Sequence, residues 1–136
     1  MVAWTLRCDG GSRGNPGPGA LGYVLCEPSG REAEARGEFL GVCTNNVAEY
    51  RSLIAGLSAA ARHAVPELVV RMDSELVVRQ MQGQYKVKNE GLKPLYAEAR
   101  AATLKVGRVR FESVPRDDNG RADALVNEAL DLALRK

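Results

Sequence analysis

The sequence contains one histidine and three cysteines, and only 5% of its residues are aromatic. A single histidine cannot build a histidine-rich metal centre, and the cysteines show no C-x-x-C spacing, which argues against a zinc site. Their odd number, without an export signal, argues against a disulfide framework and predicts free, buried thiols in a reducing cytoplasm. The cysteines are Cys8, Cys26 and Cys43.

Long apolar runs are also missing. No run approaches the roughly 20 residues that a transmembrane helix needs, so we expect no membrane contact. The N-terminal stretch "MVAWTLRCDGG" lacks the basic region and the long apolar core of a signal peptide. It predicts the first strand of the fold instead.

The remaining composition is that of an ordinary globular protein. Of the 136 residues, 45% are hydrophobic and 26% are charged, which is typical of a globular protein with a single domain over residues 1–136. A compact one-domain monomer is the simplest expectation. The net charge is +2, and 14 of the 19 basic residues are arginine. Arginine suits phosphate contacts but is also a common surface residue, so charge alone does not predict a nucleic-acid-binding protein.

Five segments predict strands. The runs "VAWTLRCD", "ALGYVLCEP" and "REAEARGEFL" follow one another with short turns between them, which is typical of an antiparallel meander. The later run "ELVVRMD" is almost continuously apolar, as expected of a strand covered on both faces, and "RVRFESV" predicts a fifth strand.

Four segments predict helices. They are "TNNVAEYRSLIAGLSAAARHA", "SELVVRQMQG", "KPLYAEARAATLKVG" and "GRADALVNEALDLALRK", the last expected to bury Ala124, Leu125, Ala129 and Leu132. His63 falls near the end of the first helix, where we expect a surface or helix-end role. Since a strand–helix–strand crossover implies parallel pairing, the sequence predicts an α/β fold. Its five-stranded mixed sheet is antiparallel in strands 1–3 and parallel in strands 4–5, with helices on both faces.

Four acidic residues stand at junctions between these elements. Asp9 ends the first strand and Asp73 ends the fourth, while Glu49 and Asp123 lie near the starts of the first and last helices. Because ligand sites in α/β sheets collect at the carboxyl ends of strands, these acids can converge on one rim. Each also has a structural alternative, since an acid near a helix N-terminus stabilises the helix dipole and Asp73 can serve as an N-cap.

Converging carboxylates repel one another unless cations neutralise them. All-oxygen ligands favour Mg²⁺ or Mn²⁺, and two such ions about 4 Å apart can stabilise the attacking and leaving oxygens in phosphodiester hydrolysis. The acids therefore predict bound Mg²⁺ or Mn²⁺, and two ions per site would suit this chemistry. The reaction needs no histidine, serine or cysteine nucleophile.

Five segments of the chain resemble type 1 ribonuclease H, in order and along nearly the whole length. They are "CDGGSRGNPGPGALGYVL", "TNNVAEYRSLIAGL", "RMDSELVVRQ", "VKNEGLKPLY" and "VPRDDNGRADALVNEAL". The chain is most similar to the short variant common in archaea and some bacteria. The resemblance implies a ribonuclease H-like fold and a metal-dependent endoribonuclease that cuts the RNA strand of RNA–DNA hybrids. The products would carry 5′-phosphate and 3′-hydroxyl ends.

The resemblance also assigns the catalytic residues. It makes all four acids metal ligands, with Asp9 shared between the two ions: Asp9, Glu49, Asp73 and Asp123. The glycines that follow Asp9 in the sequence, Gly10 and Gly11, would let the backbone approach a minor groove within a tight turn between the first two strands.

Further residues are implied as substrate contacts. Short polar groups can sense the RNA 2′-hydroxyl, and the candidates are Asn15, Asn45, Asn46 and Ser74. Thr44 and Asn89 match positions that hold a phosphate of the DNA strand, and Asn119 matches one that touches the RNA strand. Alternatively, Asn45 and Asn46 cap the first helix and Asn89 caps a turn.

Three features depart from longer members of that family. The segment "QMQGQYKVKN" is too short for their basic, tryptophan-containing handle helix, and Lys86 and Lys88 are its basic residues. Glu75 stands where some relatives have a glutamine that contacts the groove. The loop "VPRDDNGRAD" lacks the histidine that many members use for proton transfer or product release. Three charged residues of the loop are candidates to replace it: Arg116, Asp117 and Asp118. Alternatively, these residues simply form a solvated loop.

Three other functions stay open. A catalytically silent module could bind hybrids or duplex RNA on the same fold, although the presence of all four acids argues against it. A nucleotide-phosphate loop at "GSRGNPGPG" lacks the G-K-[S/T] ending and leads to a strand instead of a helix. A DNA nuclease of the transposase or resolvase type is disfavoured by the groove-contact residues. We expect RNA–DNA hybrids as the partner, with duplex RNA as a second candidate.

Overall fold

The computed structural model describes residues 2–135. The strands are β1 (Trp4–Ser12), β2 (Gly17–Cys26), β3 (Glu32–Cys43), β4 (Glu67–Met72) and β5 (Arg108–Ser113). The helices are α1 (Asn45–Arg62), α2 (Glu75–Met81), α3 (Lys93–Leu104) and α4 (Gly120–Ala133), and a short 3₁₀ helix at Arg116–Asn119 precedes α4. The predicted strands and helices are all present in the predicted order.

The strands form one mixed sheet with the order β3-β2-β1-β4-β5. β1, β2 and β3 pair antiparallel, whereas β1 with β4 and β4 with β5 pair parallel. The parallel pairs follow from the helical crossovers, α1 before β4 and both α2 and α3 before β5. The predicted fold class is confirmed, and β1 lies at the centre of the sheet.

β1 extends beyond the predicted end at Asp9. It runs through the next two glycines to Ser12, because the ladder with β2 continues to the pair Ser12–Gly19. The turn to β2 occupies residues 13–16 instead. The sequence-based end at Asp9 is therefore wrong: backbone pairing with β2 overrides the preference of glycine for turns.

Helices cover both faces of the sheet, as predicted. The larger core lies between the sheet and the helices α1, α2 and α3, and α4 packs on the opposite face against β1, β2 and β3. The predicted apolar face of α4 is partly wrong, because Ala124 and Leu132 are exposed. Its buried residues are spaced four apart: Ala122, Val126 and Leu130.

The remaining sequence predictions concern single residues and membrane contact. All three cysteines are free, but only Cys8 is buried, while Cys26 and Cys43 are half-buried. His63 caps the C-terminus of α1, and its Nε2 lies 3.1 Å from Oε1 of Glu34, which agrees with a helix-end role. Within residues 2–135, none of the helices combines the length and the apolar character needed to cross a membrane.

Candidate active site

Three acidic side chains from three separate elements meet at one point. Asp9 lies on β1, Glu49 lies in the second turn of α1, and Asp73 directly follows β4. One carboxylate oxygen from each of them lies within 4.8 Å of the other two. Asp9 and Glu49 are buried and Asp73 is half-buried, so the three acids share a small, poorly solvated volume.

The close packing of α1 on β1 brings Glu49 to this cluster. A Cβ atom at Gly10 would overlap the carbonyl group of Ala48, so glycine is required where helix and strand touch. The backbone N–H of Gly10 also donates a hydrogen bond of 2.6 Å to Oε1 of Glu49. Gly10 therefore positions Glu49 both by its lack of a side chain and by its backbone donor.

The fourth acid approaches Asp9 from the opposite face of the sheet. Asp123 lies in the first turn of α4, and the charge and hydrogen bonding between it and Asp9 contribute to the raised pKa of Asp9. Nδ2 of Asn127, one helical turn later, donates to Oδ2 of Asp123 at 3.3 Å. Asp123 and the three clustered acids line one cleft of about 380 Å³.

Burial and mutual repulsion raise the pKa of two of these acids. The pKa of Asp9 rises from 3.8 to about 8, first because burial disfavours its charged form and then because Asp73 and Asp123 lie nearby. Burial, followed by the charges of Asp9 and Asp73, also raises the pKa of Glu49 well above its usual 4.5. A cation bound among the carboxylates would remove this repulsion and favour their charged forms.

The donor set fits a hard divalent cation. Oδ1 of Asp73 is buried and has no hydrogen-bond partner in the described part of the chain. The other oxygen of Asp73, Oδ2, lies 3.7 Å from Nε of the exposed Arg116. A buried carboxylate oxygen without a partner, next to two further carboxylates, supplies the oxygen ligands that Mg²⁺ and Mn²⁺ prefer.

Asparagine side chains hold the turn after β1 against α1. Oδ1 of Asn45 accepts the backbone N–H of Ser12 at 2.9 Å, and Oδ1 of Asn15 accepts the backbone N–H of Asn45 at 3.0 Å. The N-cap of α1 is Thr44, whose Oγ1 accepts the N–H of Val47 at 3.3 Å. These bonds use the side-chain oxygens of the two asparagines and leave their NH₂ donors available to a ligand.

A second pocket, of about 460 Å³, adjoins the acidic cleft. Asn45 and Asn46 line both of them, so the two spaces share a wall built from the first turn of α1. Thr44 and Asn89, which are far apart in the sequence, lie together in this second pocket. Oδ1 of Asn89 accepts the N–H of Gly91 at 2.8 Å, so Asn89 also closes a turn.

Comparisons with known proteins give the family. Residues 7–129 match the family described as reverse transcriptase-like. The chain is 48% identical to the bifunctional protein Rv2228c of Mycobacterium tuberculosis, over 94% of this chain and 35% of that protein. It is 43% identical to ribonuclease HI of Halobacterium salinarum, over 90% of this chain and 62% of that protein. The solved structure of LC11-RNase H1 in complex with an RNA/DNA hybrid superposes with a TM-score of 0.93 at 42% identity, over 97% of this chain and 99% of that one.

The chain belongs to the type 1 ribonuclease H family. The resemblance predicted from the motifs is confirmed by these relatives and by the shared fold. The chain spans about a third of the length of the mycobacterial relative and less than two thirds of the halobacterial one. The likeness therefore concerns a ribonuclease H domain and does not extend to the whole of those proteins.

One predicted substrate contact has no exposed atom in this ribonuclease H domain. Asn119 is fully buried, and its Nδ2 donates to the carbonyl oxygen of Cys8 at 2.7 Å. Its Oδ1 has no hydrogen-bond partner within residues 2–135. In this structure Asn119 ties the loop before α4 to β1, immediately beside Asp9, and its contact with the RNA strand stays a prediction.

The departures from longer ribonucleases H are visible in the structure. Residues 82–92, between α2 and α3, contain no helix, so this domain lacks a handle helix there. Glu75 is exposed, and its Oε1 lies 3.7 Å from Nε of Arg79 in the next turn of α2. Ser74 caps α2, and its Oγ accepts the N–H of Val77 at 3.4 Å while the residue lines the acidic cleft.

Three polar residues that line the acidic cleft were not predicted from the sequence: Ser12, Arg13 and Asn127. Asn127 follows Asp123 by four residues on the same side of α4, a spacing that the sequence offered. Ser12 follows Gly10 by two residues on the same side of β1, but only the corrected end of that strand makes this relation apparent.

Proposed function

We propose that this ribonuclease H domain is an endoribonuclease that hydrolyses the RNA strand of RNA–DNA hybrids, using two Mg²⁺ or Mn²⁺ ions and leaving 5′-phosphate and 3′-hydroxyl ends. One observation carries the proposal. Three acids from β1, α1 and the end of β4 place carboxylate oxygens within 4.8 Å of one another, in a cleft that also receives Asp123. A cytoplasmic location and a monomeric state stay predictions from the sequence.

The four acids would hold the ions, with Asp9 central because it neighbours both Asp73 and Asp123. When bound, the two ions supply charge neutralisation at the scissile phosphate and activation of the attacking water. In the metal-free site, burial and repulsion keep a proton on the carboxyl group of Asp9 up to about pH 8. Metal binding therefore has to displace this proton, so metal affinity rises with pH.

The first turn of α1, which separates the two pockets, would contact the RNA strand of the hybrid. Asn45 and Asn46 offer amide groups at the acidic cleft, where the RNA 2′-hydroxyl would have to lie, and Asn15 lies beside them in the second pocket. Ser74 lines the cleft beside Asp73, and Gly10 and Gly11 leave the backbone bare for a minor groove. These positions support contacts with the RNA strand.

The second pocket would hold the DNA strand. Thr44 and Asn89 meet there, beyond the wall that this pocket shares with the acidic cleft, and so provide a separate polar site for a phosphate. A substrate that fills both sites must place its two backbones at a fixed separation. The DNA strand of a hybrid would bend to reach this pocket, which favours a hybrid over an RNA duplex. A DNA duplex is disfavoured at the other site, because it offers no 2′-hydroxyl to the acidic cleft.

The test is a cleavage assay with three end-labelled substrates: a hybrid, an RNA duplex and a DNA duplex. Each is incubated with Mg²⁺, with Mn²⁺ or with EDTA, and the RNA products are tested for 5′-phosphate by ligation. We expect metal-dependent cutting of the RNA strand of the hybrid, and none with Asp73→Asn. Binding of the hybrid without cutting in either metal would show instead a catalytically silent module, and cutting of the DNA duplex would show a DNA nuclease.

A further inference from the structure

One side of the sheet carries a layer of arginine side chains. On the face where α4 packs against β1, β2 and β3, the strands β4 and β5 present exposed or half-exposed charged residues. Val69, which lies on the same side of β4 as Arg71, is only 3% exposed. We call this surface the arginine face, and its basic residues are Arg7, Arg71, Arg108 and Arg110.

The strand register fixes which residues share this face. Arg7 lies on the same side of β1 as Asp9, two residues earlier, and pairs in the parallel ladder with Arg71 of β4. Arg71 pairs in turn with Glu112 of β5, and Val69 pairs with Arg110. The face is therefore continuous across β1, β4 and β5.

The face carries more positive charge than its own acids neutralise. Arg7 and Arg71 are direct neighbours on adjacent strands, and like charges in that position destabilise a sheet. Glu112 forms ion pairs with two of the arginines: its Oε1 lies 3.1 Å from Nε of Arg71, and its Oε2 lies 3.2 Å from Nε of Arg110. This arrangement is unfavourable for an isolated domain, and an external anion would relieve it.

The two remaining arginines have no carboxylate partner among residues 2–135. Nη1 of Arg7 donates to the carbonyl oxygen of Asp118 at 2.7 Å, which leaves its charge unneutralised. Arg108 is exposed and forms no ion pair, although Glu67 is opposite it in the ladder. The face thus offers two uncompensated guanidinium groups, one at each end.

The arginine face begins at the rim of the acidic cleft. Arg7 precedes Asp9 by two residues and Arg71 precedes Asp73 by two residues, so each is about 7 Å from a catalytic acid along its strand. From Asp73 back to Glu67, which is level with Arg108, the face extends about 20 Å. That length corresponds to about six nucleotides of a strand at 3.4 Å each.

We infer that the arginine face binds backbone phosphates of the hybrid beyond the scissile position; this inference rests on the proposed function. Guanidinium groups bind phosphate oxygens in a bidentate manner, and the face adjoins the cleft at Arg7 and Arg71. The contacts are to the backbone, so they increase affinity for long hybrids without selecting a sequence.

The experiment compares two hybrids labelled with a fluorophore, one long enough to cover the arginine face and one that spans only the acidic cleft. Binding is measured by anisotropy in EDTA over a range of salt concentrations, so that no cutting occurs. The test variant is Arg108→Gln with Arg110→Gln, and the matched control is Arg31→Gln with Arg36→Gln, which removes the same charge from exposed sites outside the face. Arg108→Gln alone serves if the double variant does not fold.

We expect the wild type to bind the long hybrid more tightly than the short one. The Arg108 and Arg110 double variant should lose most of this advantage, and the slope of log affinity against log salt should fall by about 1 for each lost contact. The control variant should keep the advantage. Equal losses in the two double variants, or a wild type that binds both hybrids equally, would overturn the inference. A wild type that shows the length advantage but never cuts RNA in Mg²⁺ or Mn²⁺ would refute the proposed enzyme and leave the arginine face supported.

Discussion

The backbone N–H of Gly10 lies 2.6 Å from Oε1 of Glu49 and donates a hydrogen bond to it, so a strand residue without a side chain sets the position of an acid of the cleft on a helix. The contact depends on the close approach of α1 to β1. A Cβ at Gly10 has no room beside Ala48, whereas a Cβ at Gly11 would find its nearest atom, Oδ1 of Asn45, at 3.9 Å.

This difference gives a matched pair of variants. Gly10→Ala should lower the free energy of unfolding by about 1–3 kcal/mol, because α1 must shift, and should lower kcat because Glu49 moves with it. Gly11→Ala should leave the free energy of unfolding within about 0.5 kcal/mol of the wild type. Thermal unfolding compares the two variants, and hybrid cleavage measures the effect of Gly10→Ala on kcat. Equal losses of unfolding free energy in the two variants would contradict the packing role of Gly10.

Neutralising an acid of the cluster should lower activity without lowering stability. Asp9→Asn and Asp73→Asn keep the side-chain shape but remove a metal ligand and one repelling charge. In Mg²⁺, hybrid cleavage should be lost in both variants, while the melting temperature in EDTA near pH 8 should rise or stay constant. Near-normal cleavage rates in both variants would show that these acids do not hold the ions.

The raised pKa of Asp9 predicts a pH dependence of stability in EDTA. Between pH 3.8 and about 8, Asp9 holds a proton in the folded protein but not in the unfolded chain. The folded state then binds more protons, so its contribution to the free energy of unfolding falls as the pH rises through this window. The melting temperature should therefore decline towards pH 8 through this group, Asp9→Asn should reduce the decline, and Mn²⁺ should reverse it at the upper end. An identical pH profile in wild type and Asp9→Asn would exclude this origin.

Two asparagines should respond differently to alanine. Asn119→Ala leaves the Cys8 carbonyl oxygen without its side-chain donor and should cost about 1–3 kcal/mol of stability. Asn89→Ala, at an exposed site in the second pocket, should cost little stability but raise the KM for the hybrid. Steady-state kinetics beside thermal unfolding separates these outcomes, and a stable Asn119→Ala variant with a raised KM would support the predicted contact with the RNA strand.

The sequence predicted the acids because their positions follow from element boundaries. A residue that ends a parallel strand or begins the following helix lies on a known edge of the sheet, so Asp73 and Asp123 could be placed without coordinates. The end of β1 could not be placed this way. Glycine favours turns locally, and only pairing with β2 extends the strand to Ser12.

The direction in which a side chain points was the second feature that the sequence could not predict. Asn119 belongs to a polar loop and was expected to face a ligand, but it turns inward to a backbone carbonyl group that no sequence pattern reveals. The buried face of α4 was misjudged for a related reason. Leucine and alanine occur on several sides of that helix, and the contact with β2 decides which side is covered.

Thr44 and Glu49 belong to the same helical segment, five residues apart, which is about 7.5 Å along the axis of α1. The groups at the two ends of this segment cannot move independently. If a substrate fills both sites as proposed, this rigid segment would fix the distance between its two backbones, and a duplex with a wider or narrower groove would lose one contact whenever it makes the other.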